Sequence, residues 1–337
     1  MHICVIGQNG EIFHETQSSN PWTGFFRYLT ESGNSFAHTT NCTEIEALIC
    51  LGYHPSILEI VTIKDLSADR KILINWEPQV VEPELYDAKY FTNFGLRLSP
   101  SDNWASKIDG VPFSWPQSKI DDPPNYKNWS FRENRIVIIQ ANKFSGHKDA
   151  KYRLRRKVIW DLGRKGLLVL YGKDWDSNVL LNFRRWFANV RRQKFTDVSF
   201  NLGSLSRPPD KIYIGEVDSK FATYGKYQTA LVIENSLDYV SEKLFDAVSA
   251  GCLTVYVGQK SNSYFNDTPK DLLPDPSLKE ITSAIQNIMN LTEIQRYTMF
   301  MEQHSSLKKH ENEALNFNVF TNLAIVCLEK LSVSELG

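Results

Sequence analysis

Apolar, β-branched runs alternate along the chain with stretches in which apolar residues recur at helical spacing. The run Ile136–Ile139 is apolar at every position, as expected for a strand of a parallel sheet that is covered on both faces. Strands are predicted at 3–7, 58–63, 71–77, 90–95, 135–142, 167–172, 230–235 and 253–258. Helices are predicted at 21–31, 44–51, 150–165, 178–191, 241–250, 278–290 and 313–331. This alternation predicts an α/β protein with doubly wound parallel sheets.

The chain has 337 residues, which is more than one compact core usually holds, so two domains are expected. The segment 116–133 contains three prolines and few aliphatic residues, and we interpret it as the linker. The predicted domains are therefore 1–120 and 121–312. A final helix within 313–337 could pack back on the N-terminal domain.

Composition excludes some classes of function. The 38 Lys and Arg residues balance 39 Asp and Glu residues, for a net charge of −1, which argues against a dedicated nucleic-acid binder. No basic and apolar leader opens the chain, and no window approaches the ~20 consecutive apolar residues of a transmembrane segment. The five cysteines lack paired spacing, which predicts neither a disulfide framework nor a zinc site. We therefore expect a cytoplasmic protein.

The most informative segment is 224–258, where an apolar strand ends in Glu-Asn-Ser and a helix follows. Ser241 can cap that helix, so that Glu242 and Lys243 lie in its first turn. A helix N-terminus at the carboxyl end of a parallel strand is a common phosphate site. Glu242 suits a ribose diol, and Lys243 adds a positive charge. An isolated Ser-Glu-Lys would indicate only a capped, solvated helix start, but Asn235, Tyr239 and Lys243 recur every four residues beside a buried strand.

The stretch ENSLDYVSEKLFDAVSAGCLTVYVG, which begins at Glu234, resembles the donor-binding signature of glycosyltransferase family 10, the α1,3/4-fucosyltransferases. It departs from that signature in two ways. Ile233 replaces the usual Phe, and the stretch between Asn235 and Tyr239 is shorter than in typical members.

Two upstream segments resemble the same family in the expected order. KYRLRRKVIWDLGRKGLLVLYG is similar to its pyrophosphate-binding segment, with Arg155 at the position of the phosphate-binding arginine and Arg153 as the nearest competitor. Of the five basic residues between 151 and 157, one or two are expected to point inward. RKILINWEPQVVEPELYD is similar to the family's strand that ends in the proposed catalytic base, which maps to Glu77. Glu82 and Glu84 nearby are expected to be solvated.

The resemblance implies a GT-B fold, in which two Rossmann-like domains face a cleft. It implies an inverting transfer of fucose from GDP-fucose, a nucleotide-sugar donor, to a hydroxyl of a glycan acceptor. Glu77 would accept the acceptor's proton, and fixed cations would stabilise the departing diphosphate without a metal or another cofactor. The implied donor-binding residues are Arg155, Asn235, Tyr239, Glu242, Lys243 and Arg153.

Three alternatives stay open. Asp174-Trp175-Asp176 has the DxD form of metal-dependent glycosyltransferases. Glu234 and Glu242 have the Glu-x7-Glu form of retaining GT-B enzymes, although the Gly that should follow is out of register. A non-catalytic nucleotide-sugar or glycan-binding module is the third alternative.

Two further features remain ambiguous in the sequence. His147 lies on a polar loop after the strand at 135–142 and is expected to be solvated. The aromatic stretch 93–117 either lines an acceptor site or packs beneath a long loop.

Overall fold

The computed structural model describes residues 1–7, 23–37, 44–113, 120–193, 208, 211–238, 240–258, 272–273, 276–314 and 319–333. The chain forms two compact units. The first is Met1–Pro116 with Asn316–Gly337, and the second is Gln117–Leu315. Each unit is built on a parallel sheet.

The sheet of the first unit has six described strands in the order β2-β1-β3-β4-β5-β6, and all neighbours are parallel. The strands are β1 His2–Gly7, β2 Ser35–Ala37, β3 Ala47–Leu51, β4 Lys71–Ile74, β5 Leu96–Ser99 and β6 Val111–Pro112. In β1, Ile3 and Val5 belong to one hydrophobic cluster, whereas Cys4 and Ile6 belong to another. Both faces of the sheet are therefore covered, which explains the continuous apolar runs.

The sheet of the second unit has six described strands in the order β12-β11-β10-β7-β8-β9, again all parallel. They are β7 Glu133–Ile139, β8 Leu168–Tyr171, β9 Tyr213–Gly215, β10 Tyr227–Ile233, β11 Leu253–Val257 and β12 Leu272–Leu273. The chain runs outward from β7 to β9 and then returns to place β10 on the other side of β7. The strand order therefore reverses between β7 and β10, and α/β proteins bind ligands at the carboxyl end of such a switch point.

The helices are α1 Thr23–Glu31, α2 Val61–Lys64, α3 Ala88–Phe91, α4 Asp102–Lys107, α5 Tyr126–Ser130, α6 Tyr152–Arg164, α7 Val179–Gln193, α8 Lys220–Tyr224, α9 Glu242–Ser249, α10 Leu278–Asn290, α11 Glu293–Ala314 and α12 Val319–Val333. In α12, Leu323 and Cys327 are buried in the same cluster as Phe25 and Leu29 of α1. The last helix thus packs within the first unit.

Three sequence predictions in the first unit were wrong. The segment 44–51, predicted as a helix, contains β3, because every residue of Ala47–Leu51 is buried between β1 and β4. Residues 58–63, predicted as a strand, form a helical turn and the start of α2. The predicted strand at 90–95 overlaps α3, whose start is fixed by the Asp87 carboxylate accepting from the Lys89 N–H. Burial between two strands overrode the helical pattern at 44–51, whereas the Asp87 cap favoured a helix over β propensity at the start of α3.

The aromatic stretch packs inside the first unit as far as the structure describes it. Phe94 and Trp104 are buried, and Phe113 meets the ring of Trp76 edge-to-face with centroids 5.1 Å apart. Residues 114–117 of the stretch lie outside the described part of the chain. Packing is therefore the role that the described aromatic residues have.

Two expectations from the sequence concern the cysteines and membrane-spanning helices. Cys50, Cys252 and Cys327 are free and buried, but Cys4 is disulfide-bonded, so the expectation of no disulfide was wrong at Cys4. Within the described helices, none combines the length and apolarity needed to cross a bilayer.

Gly172 sits where the carboxyl ends of β7 and β8 meet, and its backbone is the basis of a stability prediction. Its φ is +131°, and a Cβ there would overlap the backbone of Gln140. Gly166 also has a positive φ, of +69°, but nothing lies within 4 Å of the corresponding Cβ position. Gly166→Ala should therefore cost only the left-handed backbone penalty of about 1–2 kcal/mol. Gly172→Ala should cost about 1–3 kcal/mol more, because the backbone of Gln140 must also move to make room for the added Cβ.

Urea unfolding of both variants measures this difference. Equal losses of unfolding free energy would show that the overlap with Gln140 adds nothing to the cost of Gly172→Ala.

Candidate functional site

The carboxyl ends of β7 and β10 are held together by side-chain and backbone hydrogen bonds. The Gln140 Nε2, just beyond β7, donates to the Ile233 carbonyl at 2.7 Å. The Lys151 N–H, at the start of α6, donates to the Asn235 carbonyl at 2.9 Å. The switch point of the second sheet therefore has a fixed edge on which side chains can be placed.

Glu234 is the charged group at the centre of this edge, and its side chain is completely buried. The Ser241 N–H donates to it at 2.9 Å, the Ser241 hydroxyl at 2.7 Å and the Tyr256 hydroxyl at 3.2 Å. The Lys243 Nζ is 3.1 Å away. A carboxylate removed from water needs such donors, so the turn from β10 to α9 folds around Glu234.

Lys243 is held on this carboxylate with its side chain 20% exposed. Its Nζ also donates to the Ser241 hydroxyl at 2.8 Å. Burial alone would lower the pKa of Lys243, but the charges of Glu234 and Glu242 outweigh it, and the pKa is raised. The ammonium therefore stays protonated across the physiological range.

Arg155 reaches the same place from α6, although it is buried. Its Nη2 donates to the Ile233 carbonyl at 2.7 Å and to the Asn235 Oδ1 at 3.1 Å. The guanidinium is close enough to Lys243 for its charge to oppose part of the rise in the pKa of that ammonium. Two cations are thus gathered at the end of β10, beside the N-terminus of α9, and such an arrangement suits an anion.

The neighbouring arginines of α6 have different surroundings. Arg156 is buried, its guanidinium lies 3.6 Å from the centre of the Phe144 ring, and its Nε donates to the Asn142 Oδ1 at 3.2 Å. Burial, with the nearby charge of Arg155, lowers the pKa of Arg156 to about 9. Arg153 is exposed and lies about 200° around the helix from Arg155, so the structure does not bring these two together.

Glu242 opens α9 and is half-buried. Its Oε1 lies 3.2 Å from the Lys220 Nζ. Burial would raise the pKa of Glu242, but the charges of Lys243 and Lys220 outweigh it and lower the pKa to about 2. Glu242 is therefore an ionised acceptor beside Lys243. Tyr239, the remaining donor-binding prediction of this segment, lies outside the described residues.

Glu77 belongs to the first unit, three residues after the end of β4. Its N–H donates to the Asn75 Oδ1 at 3.1 Å, and its carbonyl accepts from the Tyr86 hydroxyl at 3.0 Å. Its backbone is fixed, and its side chain is half-buried. The expectation of a solvated Glu82 was wrong, because Glu82 is buried and accepts from the Tyr53 N–H at 3.3 Å.

The residues of the two alternative motifs are engaged by protein groups or exposed. The Asp174 carboxylate lies 2.7 Å from Arg185, and Asp176 is exposed. Among the described residues, no group of three or more His, Cys, Asp or Glu side chains is arranged to hold a metal ion. Glu234, the first residue of the Glu-x7-Glu form, is enclosed by donors from the protein itself.

Sequence reasoning missed several contacts of this edge. It treated Arg156 as part of a basic helix face and His147 as solvated, yet the His147 side chain is only 10% exposed and its Nδ1 accepts from the Asp149 N–H at 3.2 Å. It also missed the partner of Glu242, Lys220. The available signal was at Glu234: a carboxylate directly after seven apolar or uncharged strand positions is a candidate for burial with partners.

No protein-family model and no curated protein matches the sequence. Solved structures do match in fold. A UDP-forming α,α-trehalose-phosphate synthase from Burkholderia vietnamiensis aligns with 98% of this chain and over 100% of its own length, at 8% identity and a TM-score of 0.56. HepE of Anabaena in complex with UDP-glucose aligns with 98% of this chain and over 99% of its own length, at 9% identity and a TM-score of 0.50.

A TarM variant from S. aureus in complex with UDP matches 83% of the chain, at 8% identity and a TM-score of 0.49, and the chain spans about half of that protein's length, 55%. At these identities the likeness concerns the fold alone. The fold is therefore α/β with two parallel-sheet, Rossmann-like domains, as in the GT-B glycosyltransferases. This part of the sequence prediction is confirmed.

Removing the charge of Glu234 tests the electrostatic centre of the site. Glu234→Gln should lower the free energy of unfolding by about 3 kcal/mol, because it leaves Lys243 without its buried counter-ion. Glu133→Gln is the matched control: Glu133 and its partner Arg135 have side chains 49% and 42% exposed, and an ion pair so open to solvent contributes at most about 1 kcal/mol.

Urea unfolding at neutral pH compares the two variants. A Glu234→Gln protein as stable as Glu133→Gln would contradict the central role given to the buried carboxylate.

Proposed function

We propose that the protein transfers a sugar from a nucleotide-sugar donor to a hydroxyl group of a glycan acceptor. The observation that carries the proposal is that two cations, Arg155 and Lys243, lie near each other at the switch point of the second sheet. A diphosphate carries negative charge, and the charge on the leaving oxygen grows as the bond to the sugar breaks. Two fixed cations beside the N-terminus of α9 stabilise that charge.

The GT-B fold supports the proposal. Proteins that resemble this chain in fold include, by their own descriptions, a UDP-forming synthase and a protein in complex with UDP-glucose. A nucleotide-sugar donor is therefore the ligand class that both the fold and the paired cations favour.

The remaining donor contacts are assigned by chemistry and by the family resemblance. Glu242 is ionised and beside Lys243, and a carboxylate can accept hydrogen bonds from both ribose hydroxyls. Asn235, whose Oδ1 already holds Arg155, offers an amide to the phosphates or the sugar. Tyr239 is retained from the resemblance to family 10. Arg153, the competitor of Arg155 in that resemblance, is left out of the proposed site because it is exposed about 200° around α6 from Arg155.

On the basis of the same resemblance, we propose a mechanism of transfer. Glu77 accepts the proton of the acceptor hydroxyl, the hydroxyl oxygen attacks the anomeric carbon, and the diphosphate leaves with the bonding electron pair. One displacement inverts the anomeric configuration. The donor proposed on these grounds is GDP-fucose. Because Arg155 and Lys243 supply the positive charge, the reaction is proposed to need no metal.

A second candidate donor is a UDP-sugar. It is favoured by the descriptions of the structures that share the fold, which name UDP or UDP-glucose. The enclosed position of Glu234 argues against a retaining enzyme of the Glu-x7-Glu form. A binding module without turnover would share the donor site and differ only in lacking transfer.

Nucleotide binding provides the first test. GDP and GDP-fucose should raise the melting temperature of the protein, because a ligand that binds only the folded state stabilises it. Arg155→Ala and Lys243→Ala should each weaken that binding at least about tenfold, since a charge-assisted hydrogen bond contributes about 1.5–3 kcal/mol. Calorimetric titration measures the affinities, and UDP and UDP-glucose form the parallel arm.

Lys157→Ala is the matched control, because Lys157 is an exposed cation on the same helix as Arg155. Stabilisation by UDP and not by GDP would contradict GDP-fucose as the donor and support a UDP-sugar in its place. Unchanged affinity in both site variants would refute the donor site itself.

The base is tested by Glu77→Gln. The variant should bind the donor nucleotide as the parent does but lose transfer by at least about 100-fold, the usual contribution of a general base. Transfer is measured with EDTA present, so that turnover of the parent protein also tests the absence of a metal requirement. Glu84→Gln serves as the control from the same segment, and full transfer by Glu77→Gln would remove Glu77 from this role.

A further inference from the structure

Helix α7 carries an unusual share of the exposed apolar surface. Of the twelve large apolar side chains exposed in the described part of the chain, five lie in this helix: Val179, Leu180, Leu181, Phe183 and Phe187. Leu180 is 61% and Phe187 is 54% exposed. Scattered exposed apolar residues are ordinary, but a cluster of them on one element indicates a surface used for contact.

Three of the apolar side chains of α7 lie on one side of the helix, with Val179 and Leu181 about 100° to either side of Leu180. With about 100° per residue, Leu180, Phe183 and Phe187 fall within an arc of about 60°. The rings of Phe183 and Phe187 stack with centroids 6.4 Å apart, and the Phe183 ring is 5.8 Å from that of Trp186. Together they form a continuous aromatic and aliphatic ridge.

A cationic strip borders this ridge. Arg184 and Arg191 are exposed and lie within about 40° of Leu180 around the helix. The helix contains four arginines in all and no Asp or Glu. Its apolar ridge is therefore flanked by positive charge without compensating carboxylates on the helix.

The helix is attached to its unit by polar contacts near its start. Asn182 is the one buried side chain among the residues of α7 whose burial is described, 179–188 and 191. Its Oδ1 accepts from the Asn142 Nδ2 at 3.4 Å, and Arg185 pairs with Asp174 at 2.7 Å. These contacts hold the helix by its polar side, which is opposite to the exposed side chains of Leu180 and Phe187.

We infer that α7 docks the protein on an anionic lipid bilayer. Aromatic and leucine side chains next to arginines are the composition that places a helix in the plane of a membrane interface, with apolar groups among the acyl chains and cations at the phosphates. The ridge stands out from the helix, and a bilayer accepts such a surface without a matching groove. The absence of acidic residues on α7 gives charge complementarity to anionic headgroups.

Co-sedimentation of the full chain with vesicles tests this inference. Vesicles of phosphatidylcholine with an equal amount of phosphatidylglycerol should retain the protein, and vesicles of phosphatidylcholine alone should retain little. The double variant Arg184→Gln, Arg191→Gln should bind about 25-fold more weakly, because each arginine near the surface contributes about fivefold. The double variant Phe183→Asp, Phe187→Asp should lose binding.

The matched controls are Phe131→Asp, which changes an aromatic side chain 80% exposed on α5's C-terminal cap, and Arg164→Gln, an exposed arginine of α6. Both should bind as the parent does, and unchanged melting temperatures of all variants show that they are folded. Absent binding by the parent, equal binding to both vesicle types, or unchanged binding by the α7 variants would overturn the inference. A parent dimer that Phe183→Asp, Phe187→Asp dissociates, without vesicle binding, would assign the ridge to a second copy of the chain.

Discussion

The buried carboxylate of Glu234 is the constraint on which the second unit's functional edge depends. A charge without water must be met by donors from the protein, and three residues supply them: Ser241, Lys243 and Tyr256. To supply them, the chain must turn tightly after β10 and begin α9 at Ser241. The same contacts keep Lys243 protonated and fix its position. The energy of a buried ion pair is thus used to place a cation before any ligand arrives.

Such preorganisation matters for chemistry, because a cation already in place needs no rearrangement when negative charge develops on a leaving group. Arg155 is prepared in a similar way by the Ile233 carbonyl and Asn235. In the first unit, Asn75 and Tyr86 hold the backbone of Glu77. In each unit, the proposed functional groups follow the carboxyl ends of parallel strands, where the backbone is rigid and the side chains have space.

The sequence predicted the second unit better than the first for a physical reason. Strands such as β7 and β10 are flanked on both faces and show as unbroken apolar runs, so their positions were predicted within a few residues. In the first unit, Ala47–Leu51 lies within the segment 44–51 that was predicted as a helix, and only pairing with β1 and β4 makes it a strand. Lys243 and Arg155 were predicted as functional residues. The buried states of Glu234, Glu82 and Arg156 were not, because a charged residue in a single sequence reads as solvated unless its partners are known.

A crystal structure of the protein with GDP bound tests the central claim most directly. The account predicts that the diphosphate lies at the carboxyl end of β10, within hydrogen-bond distance of the Arg155 guanidinium and the Lys243 ammonium, while Glu234 keeps its contacts with Ser241. A nucleotide bound elsewhere, or at this edge without contact to either cation, would contradict it.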